Sequence, residues 1–148
     1  ASGAPVVIMH MQGTPETMQQ DPHYNFAPID IYEFLKDRVN AAVEAGIPAS
    51  AIAIDPGFGF GKSVKHNLQL VNWLSLFQGL GVAVLFGASR KSSIAKISAG
   101  EPAEDRLPGS LVLAAAAWRQ GVQIIRVHDV AETAQALAVE VALLDEGS

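Results

Sequence analysis

The chain has 148 residues, 49% of them apolar, which is enough for one domain with an apolar core. Its net charge of −5 argues against binding to nucleic acid or to an anionic membrane surface, and its longest apolar stretches are shorter than the ~20 residues that span a bilayer. The absence of cysteine excludes disulfides, thiolate metal sites and a cysteine nucleophile, and we expect a cytoplasmic protein.

Four short apolar runs are the predicted strands. Residues 1–5 read as the last turn of a helix that ends at Gly3, so we expect the chain to begin inside a longer fold. The runs that follow lack the alternation of a half-exposed strand, which predicts a parallel sheet buried on both faces. They occupy residues 6–9, 52–54, 82–86 and 122–125.

Helical patterns separate and follow these strands. The first begins after Asp30, a predicted N-cap, and ends at Gly46. The second places Leu68, Val71 and Leu74 on one face and ends before Gly79. The others cover residues 110–120 and 134–144. Four consecutive strand–helix units predict a parallel α/β fold, either an open doubly wound sheet or a (β/α)8 barrel.

Polar residues follow every predicted strand, namely His10, Asp55, residues 89–91 and residues 126–129. An open sheet carries its ligand at one switch point, whereas every strand end of a barrel can contribute to the site. The pattern therefore favours a barrel. Since such a barrel takes about 250 residues and eight units, four units predict half of one.

The loop IAIDPGFGFGKS at residues 52–63 ends like a nucleotide-binding P-loop. Only three residues separate Gly57 from Gly61, however, where the P-loop needs four, and the dinucleotide spacing G-x-G-x-x-G also fails. We therefore do not expect a phosphate cradle here. Asp55 is either the acid of an Asx turn or, beside this flexible loop, a carboxylate that accepts N–H donors from a heterocycle.

Two further groups are candidate ligand contacts. Lys91, flanked by small residues, can bind a ligand or simply lie exposed, and Arg90 is interpreted as a solvated surface residue. Arg126 and His128 alternate along one strand, so they either form an anion pocket or leave His128 as a satisfied strand-end residue. Asp129 is interpreted as the cap of the last helix.

The end of the first strand is less informative. Met9 either packs in the core or forms a floor for a flat ring, because its thioether is polarizable. His10 has no partner visible in the sequence. The four histidines show no metal-binding spacing, so no protein metal site is predicted.

Four motifs together resemble dihydropteroate synthase: MHMQGTP at residues 9–15, DPGFGFGK at 55–62, SRKS at 89–92 and RVHDV at 126–130. The resemblance covers essentially the whole chain but only strands five to eight of that family's barrel. It implies that residues 1–148 are the C-terminal half of a pterin-binding (β/α)8 barrel domain. The half chain alone is expected to be inactive.

The resemblance implies that 6-hydroxymethyl-7,8-dihydropterin diphosphate condenses with p-aminobenzoate to give 7,8-dihydropteroate and pyrophosphate. It implies Mg2+ bound mainly through the substrate diphosphate, with its protein ligand in the other half of the barrel. It also implies sulfonamide inhibitors and a homodimer of the complete protein.

The resemblance also implies a role for each site residue that matches one of the four motifs. Asp55 and Lys91 would bind the pterin from two sides, with Met9 and Gly87 lining its pocket. Arg126 would stack on the pterin.

Arg126 and His128 would hold the diphosphate, so that they and Lys91 are the expected catalytic residues. Ser89 would anchor the carboxylate of p-aminobenzoate, and Phe60 would flank its ring.

Two alternatives stay open. A pterin-binding methyltransferase domain shares the barrel and the carboxylate that recognises the pterin. A non-catalytic half-barrel would instead serve as an interaction module.

Overall fold

The structure, a computed structural model, describes residues 3–145 except 15, 17 and 19. Within these residues, four parallel strands form one sheet in the order β1-β2-β3-β4. The predicted helix end falls on residues 1 and 2, outside the described residues, although Gly3 has the positive φ of +68° that such a stop uses. The strands are β1 (Val6–Met9), β2 (Ile52–Asp55), β3 (Ala83–Phe86) and β4 (Ile124–Ile125).

Helices follow each strand and pack on one side of the sheet. The α-helices are α1 (Ala27–Glu44), α2 (Val64–Asn72), α3 (Ser92–Ile97), α4 (Leu107–Arg119) and α5 (Val130–Asp145). Short 3₁₀ helices cover Ala49–Ala51, Leu74–Leu80 and Ala103–Asp105. In the described part of the chain, no helix is both long and apolar enough to cross a membrane.

The strand order confirms the predicted parallel α/β architecture and favours the barrel. Each strand pairs with its neighbour in sequence, and none of the described strands reverses the direction in which the sheet grows. A doubly wound sheet reverses that order at its switch point, whereas a barrel does not. All four carboxyl ends therefore lie along the same edge of a curved sheet.

The apolar core lies between the sheet and the helices. Ile54, Val84 and Phe86 point from the strands toward Leu35 and Leu70, and all five are essentially inaccessible to solvent. Because side chains alternate along a strand, this face takes every second residue and the neighbours point the other way. Burial of this face fixes the register that aligns the strand ends.

The opposite face of the sheet is largely open, so the prediction of strands buried on both faces is wrong for β1 and β4, whereas all three apolar residues of β2 are buried. Val7, Met9 and Ile124 are 55%, 38% and 40% exposed. A four-stranded arc does not close on itself, and its concave face therefore has nothing to pack against. The four strand sequences are apolar without alternation because both faces of each strand are covered when such a barrel is closed.

Several predicted boundaries are also wrong. Helix α1 begins at Ala27 because Pro28 fits its first turn, and Asp30 lies inside that turn, where its Oδ2 accepts the N–H of Asn25 at 2.8 Å. The second helix changes to a 3₁₀ helix after Trp73. Strand β4 has only two residues, and α3 covers residues that no predicted element included.

Candidate active site

The concave face brings four predicted ligand residues together at the carboxyl ends of the strands. Met9 pairs in register with Asp55, and Leu85 pairs with Ile124. Gly87 and Arg126 follow two residues later, and thus on the same face of their strands. A Cβ added to Gly87 would lie 3.7 Å from the Cβ of Arg126 and 3.8 Å from its Nη1. Glycine therefore leaves room for the arginine side chain to cross the rim.

Asp55 is the acid at the centre of this rim. Its Oδ1 accepts the N–H of Gly57 at 2.8 Å, which is the local bond of an Asx turn. Burial raises the pKa of the carboxyl group, while the Gly57 bond and the charges of Lys91, Lys62 and Arg126 oppose that rise. The turn and a ligand-binding role are compatible, since the turn engages one of the two oxygens.

Lys91 reaches from the end of β3 across the glycine loop, defined as residues 56–61. Its Nζ donates to the carbonyl of Phe58 at 3.0 Å and lies 3.9 Å from the ring centroid of Phe60. Burial lowers the pKa of the ammonium group, Asp55 raises it, and Arg126 lowers it. The charges of Asp55, Lys91 and Arg126 therefore act on one another, and the ring of Phe60 lies beside the ammonium group of Lys91.

Ser89 and His128 form a second group beside the first. The Nδ1 of His128 lies 2.9 Å from the Oγ of Ser89, and the backbone N–H of His128 donates to the same oxygen at 3.2 Å. A concavity of about 100 Å³ opens beside them. It is lined by Gly87, Ser89, Lys91, Arg126, Val127 and His128.

Arg90 and Asp129 form a pair that corrects the interpretation of Arg90 as a solvated residue and adds a second contact to Asp129. Asp129 directly precedes α5, and its carbonyl accepts the N–H of Thr133 at 3.0 Å, as the predicted cap position requires. Its carboxylate binds Arg90 through both oxygens, with Nε–Oδ2 at 3.0 Å and a shorter Nη2–Oδ1 contact. Arg90 adopts φ +58°, and its backbone is held by Ser110 and Arg106. The pair ties the loop that carries Ser89 to the loop that carries His128. The sequence offers no local signal for a pair 39 residues apart.

His10 has a partner after all. The Nζ of Lys62 lies 2.9 Å from His10 Nδ1 and donates to the carbonyl of Phe60 at 3.0 Å. His10 and Lys62 are 6% and 3% exposed. Burial, assisted by the charge of Lys62, lowers the pKa of His10 to about 3, so its ring is neutral. Sequence reasoning missed Lys62 because it compared the residue only with the lysine of a P-loop.

Asn67 was also missed. Its Oδ1 accepts the N–H of Gly59 at 2.8 Å, and its Nδ2 donates to the Oγ of Ser93 at 3.0 Å. The residue is 1% exposed and therefore ties the glycine loop to α3 from within the core. Its signal in the sequence is a polar residue three and four positions before Leu70 and Val71, on the buried face of α2.

The described ranges contain no group of three or more His, Cys, Asp or Glu residues that could hold a metal ion. Asp55 is the acid of the rim, with the cations Lys91 and Arg126 beside it, and one carboxylate among cations does not make a site for Mg2+.

Known proteins are similar to this chain in sequence and in structure. Residues 1–128 match the family described as pterin binding enzyme. Dihydropteroate synthase of Haemophilus influenzae is 47% identical over 135 residues, which are 91% of this chain and 49% of the relative. The chain spans about half the length of the curated relatives it matches.

Solved structures give the same result. The Yersinia pestis dihydropteroate synthase in complex with a sulfonamide drug has a TM-score of 0.93 and 42% identity, covering 97% of this chain and 52% of its own. The Xanthomonas albilineans enzyme in complex with 7,8-dihydropteroate has a TM-score of 0.88 and 42% identity, covering 96% and 51%. These similarities confirm the barrel class, with this chain forming about half of the barrel.

Proposed function

Because the chain belongs to the family of pterin-binding enzymes, we propose that it supplies half of the active site of a dihydropteroate synthase. The domain proposed is the C-terminal half of a pterin-binding (β/α)8 barrel, over residues 1–148. The observation that carries the proposal is the convergence of Asp55, Lys91 and Arg126 on one rim, with Ser89 and His128 beside them.

The proposed reaction condenses 6-hydroxymethyl-7,8-dihydropterin diphosphate with p-aminobenzoate. The bond between the pterin methylene carbon and the diphosphate oxygen breaks, and pyrophosphate leaves with the electron pair. The amine nitrogen of p-aminobenzoate then bonds to that carbon and loses a proton, which gives 7,8-dihydropteroate. The X. albilineans relative in complex with 7,8-dihydropteroate supports this choice of product.

The pterin is proposed to lie on the concave face of the sheet. Asp55 accepts hydrogen bonds from the pterin amino group and ring N–H through the oxygen that does not hold Gly57. Lys91 binds the opposite edge of the ring, and Met9 and Gly87 line the pocket. The exposure of Met9, at 38%, and its register with Asp55 support this position.

The diphosphate is proposed to occupy the concavity beside Arg126 and His128. Arg126 can bind two oxygens through its planar fork while it stacks on the pterin, and His128 adds a further donor. Negative charge grows on the diphosphate as the bond breaks, so these donors stabilise the transition state more than the substrate. With Lys91, they are the proposed catalytic residues.

The p-aminobenzoate is proposed to bind between Phe60 and Ser89. Lys91 holds its Nζ over the ring of Phe60 and so fixes the orientation of that ring. The backbone N–H of His128 donates to Ser89 Oγ, and the hydroxyl proton is then directed either to His128 Nδ1 or to a ligand carboxylate. When His128 carries its proton on Nδ1, Ser89 can bind the carboxylate of p-aminobenzoate.

Mg2+ is proposed to enter with the diphosphate and to find its protein ligand in the other half of the barrel. The described part of this chain holds no group of three or more His, Cys, Asp or Glu residues that could bind the ion by itself. Sulfonamides are proposed as inhibitors because the Y. pestis relative binds one.

Location and assembly are proposals as well. The lack of cysteine supports a cytoplasmic location. A homodimer is supported by exposed apolar residues on the outer helices, Ile97 and Val112, at 54% and 68%.

The test uses the complete barrel, meaning this chain joined to the half of the H. influenzae relative that it does not cover. Purified complete barrel is mixed with pterin diphosphate, with and without p-aminobenzoate, and pyrophosphate release is measured. Release that depends on p-aminobenzoate supports the synthase. Pterin binding without such release would favour a methyltransferase domain, and association without pterin binding would favour an interaction module.

A further inference from the structure

Lys62 is a buried cation that the proposed reaction does not use. It is 3% exposed, although lysine is rarely buried to this extent in proteins. Its Nζ donates to the carbonyl of Phe60 at 3.0 Å and lies 2.9 Å from His10 Nδ1. The ring centroid of Tyr24 is 5.9 Å away. The ammonium group is therefore enclosed by protein atoms.

The contacts of Lys62 lie where the glycine loop crosses the end of β1. Two glycines of that loop lie directly against the backbone of residues 10–12, which follow β1. A Cβ on Gly57 would lie 1.8 Å from the carbonyl oxygen of His10, and one on Gly61 would lie 2.4 Å from that of Gln12. Lys62 joins the same two segments through its side chain, because it binds the ring of His10 and the carbonyl of Phe60.

Two proposed ligand contacts lie in or next to the glycine loop. Asp55 precedes it, and Phe60 lies within it. Gly57, Gly59 and Gly61 all have positive φ and carry no side chain, so the loop depends on contacts from other residues. Phe58 is buried in the core, Asn67 accepts the N–H of Gly59, and Lys91 donates to the carbonyl of Phe58. The bond from Lys62 to the carbonyl of Phe60 adds a side-chain link between this loop and His10, at the end of β1.

A lysine in this place is unfavourable for folding. Burial lowers the pKa of Lys62 to about 7, against an ordinary value of 10.5. Asp55, at the end of β2, favours its charged form, whereas Lys91, before α3, opposes it. His10, at the end of β1, is neutral and accepts a hydrogen bond from it. An apolar side chain of the same length would be easier to bury.

We propose that Lys62 is a positioning residue of the active site, which fixes the glycine loop against β1 and so holds Asp55 and Phe60 in place for pterin and p-aminobenzoate. The proposal rests on the proposed function, since these ligands define what is positioned. Lys62 acts through hydrogen bonds to the loop, and stability alone does not explain it.

The first test separates ligand binding from stability. Lys62→Met in the complete barrel is expected to bind a pterin at least tenfold more weakly by calorimetry, while its unfolding temperature stays equal or rises. Lys62→Gln, which keeps N–H donors without the charge, is expected to recover part of the affinity. Lys65→Met, at an exposed position on α2, is the matched control and should bind like the wild type. Wild-type affinity in Lys62→Met would overturn the proposal.

The second test needs no ligand. Hydrogen exchange at the amides of residues 57–61 is expected to be at least tenfold faster in Lys62→Met than in Lys65→Met. Equal exchange would overturn the proposal whether or not a pterin binds. If Lys62→Met does not fold, Lys62→Gln takes its place and is expected to show a smaller but measurable loss of affinity and a smaller but measurable increase in exchange. Wild-type values in both measurements would overturn the proposal. A wild-type barrel that binds no pterin would contradict the proposed function, and the exchange result would then decide the role of Lys62.

Discussion

Ser89 and His128, 39 residues apart in the sequence, meet through two contacts to one hydroxyl oxygen: His128 Nδ1 at 2.9 Å and the His128 backbone N–H at 3.2 Å. The contact holds the imidazole at the rim of the concavity that Arg126 also lines. Because Ser89 positions His128, it belongs to the proposed diphosphate site as well as to the proposed site for the carboxylate of p-aminobenzoate. A change at His128 should therefore depend on which groups the ligand carries.

The first prediction compares two pterins. His128→Ala in the complete barrel should weaken binding of pterin diphosphate about tenfold or more and leave a pterin without diphosphate nearly unaffected, because only the first ligand carries an anion. Arg126→Ala should weaken both, since the arginine is also proposed to stack on the ring. Calorimetry with the two ligands gives the comparison. Equal losses of affinity for the two ligands in His128→Ala would show that the histidine does not bind the diphosphate.

Asp55→Asn is the matching prediction for the pterin. The amide oxygen can still accept the N–H of Gly57, so the fold should be retained. The amide nitrogen, however, places a donor against the N–H groups of the pterin, and the loss of binding free energy should be about 2 kcal/mol. Unchanged affinity would remove Asp55 from the site. Circular dichroism of the variant provides the control for folding.

Gly57→Ala should destabilise the barrel strongly. Its φ is +73°, and an added Cβ would lie 1.8 Å from the carbonyl oxygen of His10, so strain adds to a backbone collision. We expect the free energy of unfolding to fall by more than about 2 kcal/mol. The control is Gly46→Ala, where φ is +93° but nothing lies within 4 Å. That variant should lose only about 1 kcal/mol. Equal losses would mean that the close approach does not matter.

Stability should also depend on pH through Lys62. Its pKa in the folded state is about 7, below its ordinary value of 10.5, so between these values the unfolded state binds more protons. The contribution of Lys62 to the free energy of unfolding therefore rises with pH across that window. Urea unfolding of wild type and Lys62→Met should show a stability advantage of the variant that shrinks from pH 7 to pH 10. A constant difference would contradict the lowered pKa.

The isolated 148-residue chain is expected to show little or no synthase activity. Its concave face is open, and β1 and β4 each have one unpaired edge in the described sheet. In the proposed barrel, the other half supplies the remaining strand ends that would enclose the ligands. Formation of 7,8-dihydropteroate is measured for this chain alone and for the complete barrel. Equal turnover by the two would contradict the expectation.

The sequence predicts the four strand–helix units well, because buried strands and amphipathic helices leave local patterns. It also predicts that His10, Asp55, Lys91 and Arg126 lie at strand ends, since a parallel sheet gathers its carboxyl ends at one edge. The open concave face could not be predicted from apolar runs, because those runs are the same whether or not the barrel closes.

Contacts between distant residues could not be predicted. The pairing of Lys62 with His10 and that of Arg90 with Asp129 depend on the three-dimensional path of two loops, and neither pair has a fixed spacing in sequence. Asn67 is the exception, since a polar residue on a buried helical face is visible in the pattern. The roles proposed for Ser89 and Phe60 came from the resemblance, and their assignment to p-aminobenzoate stays a prediction.

The most direct measurement is a crystal structure of the complete barrel with pterin diphosphate bound. We predict that the pterin lies on the concave face, with its amino group within hydrogen-bonding distance of Asp55, and that its diphosphate contacts Arg126 and His128. A pterin bound elsewhere, or a diphosphate held by the glycine loop, would contradict the proposed site.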